Sequence, residues 1–260
     1  DGWRQPEYEL FVWSRRPEIL IMDTASYTVQ SLFFKRLAFF VEKSGYRGRL
    51  LTDEQFAGLH GYNAHDYRAE DLARFFQEAR RQRFALNAEE QLLERILVAN
   101  GVLREADEPG VGGILSISRT SPPLLRQQLL THECYHGLYF VLPDYREAAQ
   151  REWRGLQPLE RSFWELFFSF VGYDTTDPYL AANEYQSYLF QQERGRVDGY
   201  FRSQTAPRLA ARYPSSREQI QALLTQLPRS FTEAFDRLEP ELVRQAGVEG
   251  GRVIELSPSP

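Results

Sequence analysis

Thr131-His132-Glu133-Cys134-Tyr135-His136-Gly137, flanked by Leu129-Leu130 and by Leu138-Tyr139-Phe140-Val141-Leu142, is an apolar run that carries three ionisable side chains. Its length and apolar character predict a buried helix. On a helix, positions i and i+4 share one face, so His132 and His136 can offer two imidazole nitrogens to one metal ion. Glu133 lies about 100° further round, within reach of a water near that ion without being a ligand. With 4 His and 36 acidic residues in 260, the three fixed positions of His-Glu-x-x-His have a chance expectation on the order of 0.01. The bland alternative, two core histidines and a buried glutamate, leaves a carboxylate desolvated without a cation, which is costly.

Working outward, Ile114-Leu115-Ser116-Ile117-Ser118 alternates as a half-buried strand does, with Leu115 and Ile117 on one side and the serines on the other. Ser121-Pro122-Pro123 ends it and opens the motif helix. At a sheet edge this strand would offer backbone groups to an extended peptide; as an ordinary inner strand it would not. Upstream, Glu18 to Asp23 reads as a buried strand, and Asp23-Thr24 as the cap of a helix over Tyr27 to Lys43. A short helix follows from Asp53 to Leu59, and then a turn-rich loop with His60 and His65, whose spacing suits neither a helix face nor a strand face. Glu70–Phe84 and Ala88–Asn100 read as amphipathic helices, the second with Asn87 and Glu90 in a capping box.

Downstream, residues 145–171 read as helical and core-building, with Trp153, Phe163, Trp164, Phe167, Phe168 and Phe170. Asp177-Pro178 opens a helix to about Arg194, and three helical segments broken by prolines precede an expected strand at 252–256. No internal repeat or linker marks a boundary, so residues 1–260 read as one domain, with 1–17 as a packing arm and 257–260 as a disordered tail. A net charge of −5 gives no electrostatic basis for binding nucleic acid, and no run approaches the roughly 20 apolar residues of a membrane span. The single cysteine, Cys134, excludes an internal disulfide and reads as packing. A chain that starts at Asp1 without an initiator Met favours an exported or periplasmic protein over a cytoplasmic one.

With His132-Glu133-Cys134-Tyr135-His136 in hand, the chain resembles the zincin metallopeptidases. The metzincin extension needs Gly and His at 139 and 142, where this chain has Tyr139 and Leu142. It is instead similar to the gluzincin branch, whose third ligand is a glutamate on a later helix, often after Asn. Tyr179-Leu180-Ala181-Ala182-Asn183-Glu184-Tyr185 supplies that pattern, and Glu184 among apolar neighbours is again a carboxylate that wants a cation. The rivals Asp174, Asp177 and Glu165 fit less well, since Asp177 serves as a cap and Glu165 suits a solvated face.

The resemblance covers only these two helices. It implies a predominantly helical α+β fold with a small sheet packed on the metal-bearing helices and a helical C-terminal part. It also implies one catalytic Zn2+ held by His132, His136 and Glu184. Glu133 would be the general base for a metal-activated water in hydrolysis of a peptide or protein substrate. Zincins of this branch add a Tyr or His toward the oxyanion; Tyr188 is the candidate here, with Tyr179, His60 and His65 as others. Asp174 is a candidate for orienting a ligand histidine. The competing expectation is a catalytically silent binding or regulatory protein on the same scaffold, for which Glu133 would have no use.

Overall fold

The computed structural model describes residues 4–251, which form two compact units, one ending at Val141 and one beginning at Leu142. The described residues are predominantly helical with one small mixed sheet, an α+β arrangement.

In the first unit four strands, β1 (Tyr8–Trp13), β2 (Arg16–Thr24), β3 (His65–Arg68) and β4 (Gly113–Ser118), pair in the order β1-β2-β4-β3. The β2–β4 pair is parallel and both outer pairs are antiparallel. Most of residues 4–17, read in the sequence as a packing arm, are extended and form part of the β1–β2 hairpin at one edge. β4 is an inner strand along Gly113–Ser116, and the edge on its far side is β3, within what reads as a loop in the sequence. The expected terminal strand at 252–256 and tail at 257–260 lie outside the described residues.

Helix α1 (Tyr27–Val41) packs on β2 and β4, with α2 (Ala69–Gln82) and α3 (Ala88–Ala99) against it. Leu20, Met22, Ile114 and Tyr67 join Phe33, Phe34, Leu37 and Phe40 in one core. The other face meets α4 (Pro123–Val141): Gly137 stands over Ile19, and Phe140 reaches Gly113. Because helices cover both faces, all six residues of β4 are buried rather than alternately exposed. Ser116 is accommodated by accepting a hydrogen bond from Gln30 Nε2 on α1 at 3.0 Å.

The helix α1 is capped by Ser26, whose hydroxyl accepts from Val29 N at 3.2 Å, and not by Asp23. Asp23 instead accepts two hydrogen bonds from the Arg126 guanidinium, at 2.8 and 2.6 Å, which ties the first turn of α4 to the end of β2. Arg126 thus lies over the C-terminal end of β2 while Phe140 lies over the N-terminal end of β4, so α4 runs antiparallel to both strands. The short helix expected at Asp53–Leu59 is a series of turns, and the Asn87–Glu90 capping box is present.

The second unit is helical. The expected 145–171 helix is two, α5 (Pro143–Gly155) and α6 (Pro158–Val171), separated where Pro158 starts a new first turn. α7 (Pro178–Phe190) packs on α5 and, with it, on α11 (Ser230–Ala246). Three shorter elements, α8 (Val197–Gly199), α9 (Ala206–Arg212) and α10 (Arg217–Gln226), complete it, with a π-helical turn at Tyr200–Thr205 between α8 and α9. Trp164 is the hub of the core, with its ring centroid 4.7 Å from Phe201 and 4.9 Å from Tyr185, whereas Phe170, expected in that core, is exposed near the end of α6. Pro240 falls inside α11 rather than ending it.

Candidate metal centre on α4

Every residue of α4 from Thr131 to Tyr139 is buried. Along this stretch the helix turns no face to water, so its ionisable groups are held in the interior by the packing of their apolar neighbours. His132, Glu133 and His136 are only 5 %, 4 % and 0 % exposed. Gly137 leaves the helix backbone close to Ile19 of β2, since a Cβ there would already touch the Ile19 side chain at 3.4 Å.

The two imidazoles converge as their spacing predicts. Their Nε2 atoms are 3.0 Å apart, with ring centroids at 4.6 Å and planes at 82°. Two nitrogens bound tetrahedrally to one zinc at about 2.0–2.1 Å would stand about 3.3 Å apart, so a shift of a few tenths of an ångström converts this pair into ligands. On its other side His136 meets β3: Nδ1 is 3.5 Å from Asp66 Oδ2. Asp66, Glu133 and His136 offer potential ligand atoms within 4.8 Å of one another. Two carboxylates crowded on buried imidazoles form a donor set that suits a divalent cation, because like charges out of water otherwise raise each other's energy.

Asp66 is the residue that sequence reading missed. It lies on β3, where side chains alternate: His65 and Tyr67 point into the α1 core, and Asp66 points to the α4 side. The available signal was the alternation in His65-Asp66-Tyr67-Arg68, too short and too polar to stand out from a turn.

The other candidates fall into place one by one. His65 is buried, its Nδ1 3.0 Å from the Tyr67 hydroxyl and its ring stacked on Phe34, while His60 is exposed, so these histidines do not form a second metal pair. Burial, followed by the nearby charges of Lys43 and His60, lowers the His65 pKa to about 3. Burial likewise pushes the Cys134 thiol up, so it stays protonated and serves as packing.

In the second unit Glu184 is 1 % exposed on α7, a helix buried nearly all round. Asp177 accepts from Tyr179 N at 2.8 Å and Leu180 N at 3.3 Å as the cap of α7. Asp174 accepts from the Thr176 amide and hydroxyl within its own loop, and Glu165 is exposed on α6. Within the first unit, the carboxylate that faces Nδ1 of His136 is Asp66. Tyr188 lies one turn after Glu184, with its ring edge-on to Phe167 at 4.7 Å.

The His65 shift carries a pH prediction. A histidine with a folded pKa near 3 and an unfolded pKa near 6.5 contributes stability that is complete above pH 6.5 and is lost as pH falls toward 3. Urea unfolding across that window is expected to weaken by about 1.4 kcal/mol per pH unit from this one proton. His65→Gln should flatten the slope by that amount, and identical slopes would show that His65 does not bind the proton on unfolding.

Among the described residues, no helix is long and apolar enough to cross a membrane. Compared with known proteins, the chain matches no family model, no curated sequence and no solved structure.

Proposed function

We propose that the protein is a zinc-dependent peptidase of zincin type, with His132, His136 and Glu184 as metal ligands and Glu133 as general base. The observation that carries this reading is the convergence of the His132 and His136 Nε2 atoms at 3.0 Å in the interior of α4, with Glu133 beside them. The three proposed ligands have the donor types of a catalytic zinc site and are all buried. Bound there, zinc supplies a Lewis acid that polarises a carbonyl and makes a nearby water more acidic.

The chain's own residues supply the proton chemistry. Glu133, one step from His132 on the helix and desolvated, takes a proton from the attacking water and passes it to the leaving amine. The Tyr188 hydroxyl is the candidate donor to the oxyanion, a role distinct from the packing of its ring. A scaffold that only bound metal would have no need of a buried carboxylate at position 133, which favours hydrolysis over a silent binding role.

Elemental analysis of the purified protein, followed by digestion of a mixed peptide library with and without chelator, tests the reading. About one zinc per chain and chelator-sensitive cleavage are expected. A protein without zinc, or cleavage indifferent to the chelator, overturns it; zinc without any cleavage leaves the binding-protein alternative. In the same assay Tyr188→Phe keeps the ring, and an unchanged kcat would remove its hydroxyl from the chemistry.

A further inference from the structure

We propose that Asp66, at the antiparallel sheet edge, is the positioning residue of the metal centre: its carboxylate accepts a hydrogen bond from Nδ1–H of His136 and so presents Nε2 of that ring as the metal donor. This rests on the zinc reading above for its purpose, though not for its geometry.

His136 has two ring nitrogens, and each has a different neighbour. Its Nε2 faces Nε2 of His132 at 3.0 Å, and its Nδ1 faces Asp66 Oδ2 at 3.5 Å. A neutral imidazole carries one proton, on one nitrogen or the other. Placed on Nδ1, that proton meets a carboxylate and leaves Nε2 with a bare lone pair. Placed on Nε2, it would leave two lone pairs, on Nδ1 and on Asp66, facing each other. The first arrangement also satisfies the neighbouring ring, because Nε2–H of His132 can then donate to the bare Nε2 of His136 in the metal-free protein. The Asp66 contact needs to shorten by about 0.7 Å to reach the usual length of a charge-assisted hydrogen bond.

The fold supplies the rigidity that a positioning residue needs. Asp66 pairs with Leu115 in the β3–β4 register, so its backbone is fixed by the sheet on which α4 packs. Its neighbours along the strand anchor the other face: His65 stacks on Phe34 at 5.3 Å and Tyr67 is 1 % exposed. Arg68 is held by Asp71 at 2.8 Å at the start of α2. The strand therefore cannot rotate its side chains without breaking contacts on both faces. A carboxylate held in this way raises the basicity of the ligand ring and fixes its orientation.

The test uses the full chain and zinc alone. Zinc affinity is measured by competition with a chromogenic chelator for the wild type, Asp66→Ala and the isosteric Asp66→Asn, beside thermal melts of the metal-free proteins. Both variants are expected to bind zinc about 10–100-fold more weakly, with melts close to the wild type, a combination that a purely structural role would not produce. Wild-type affinity in both variants overturns the proposal. Nitrogen NMR of the metal-free wild type gives an independent readout: Nδ1 of His136 should be protonated and Nε2 bare. The opposite tautomer overturns the proposal even where a variant fails to fold. Should the wild type take up no zinc, the peptidase reading falls, while the tautomer still decides whether Asp66 holds the ring.

Discussion

Glu133→Gln is expected to lower peptide hydrolysis by at least about 100-fold while zinc content stays at the wild-type level. The side chain is 4 % exposed and sits in the most tightly enclosed part of α4, so an isosteric amide preserves its volume and its capacity to accept a hydrogen bond. What the amide cannot do is take up a proton at neutral pH. Replacing a buried carboxylate by an amide also removes a charge rather than creating one, so the fold should tolerate the change. The informative quantity is the pair of readings together. Lost hydrolysis with retained zinc isolates proton transfer; lost zinc as well would mean that Glu133 helps hold the ion. Retained hydrolysis in a preparation free of contaminating proteases would remove Glu133 from the role of base.

The second large effect belongs to Glu184. On the zinc reading, its change to Ala should abolish stable zinc occupancy after gel filtration and remove the rise in thermal stability expected of the wild type on adding zinc. Saturating zinc at about 100 times its Kd contributes about 2.7 kcal/mol to a protein that binds it only when folded, and a variant with two ligands should show almost none of this. Burial sharpens the expectation: Glu184 is 1 % exposed on α7, between Asn183 and Tyr185, which are also buried. A carboxylate kept in such surroundings costs free energy unless a cation compensates it. Unchanged zinc content would place the third ligand elsewhere.

Several features were legible in the sequence because their causes are local. The i, i+4 histidines needed only helical geometry to share a face, and their nitrogens do converge. The Asn87–Glu90 box and the Asp177 cap are contacts within four residues, and both are present. Burial of His132, Glu133, His136 and Glu184 followed from the apolar residues around them. By contrast, Asp23 looked like a cap and is a partner for Arg126, an ion pair across 103 residues that no local pattern announces.

Most of the long helices, the Asn87 and Asp177 caps and the donor chemistry of α4 were legible from the sequence, since each depends on interactions within a turn or two. Tertiary pairing sets the order β1-β2-β4-β3, which makes β4 an inner strand along Gly113–Ser116 and His65–Arg68 the edge beside it. Strand order is set by which distant segments exchange backbone hydrogen bonds, and a four-residue strand carries too little periodicity to reveal its partner. That pairing is also what brings Asp66 to His136. The histidines could be found from their spacing, whereas the carboxylate that faces them exists as part of the site only once β3 is laid against β4.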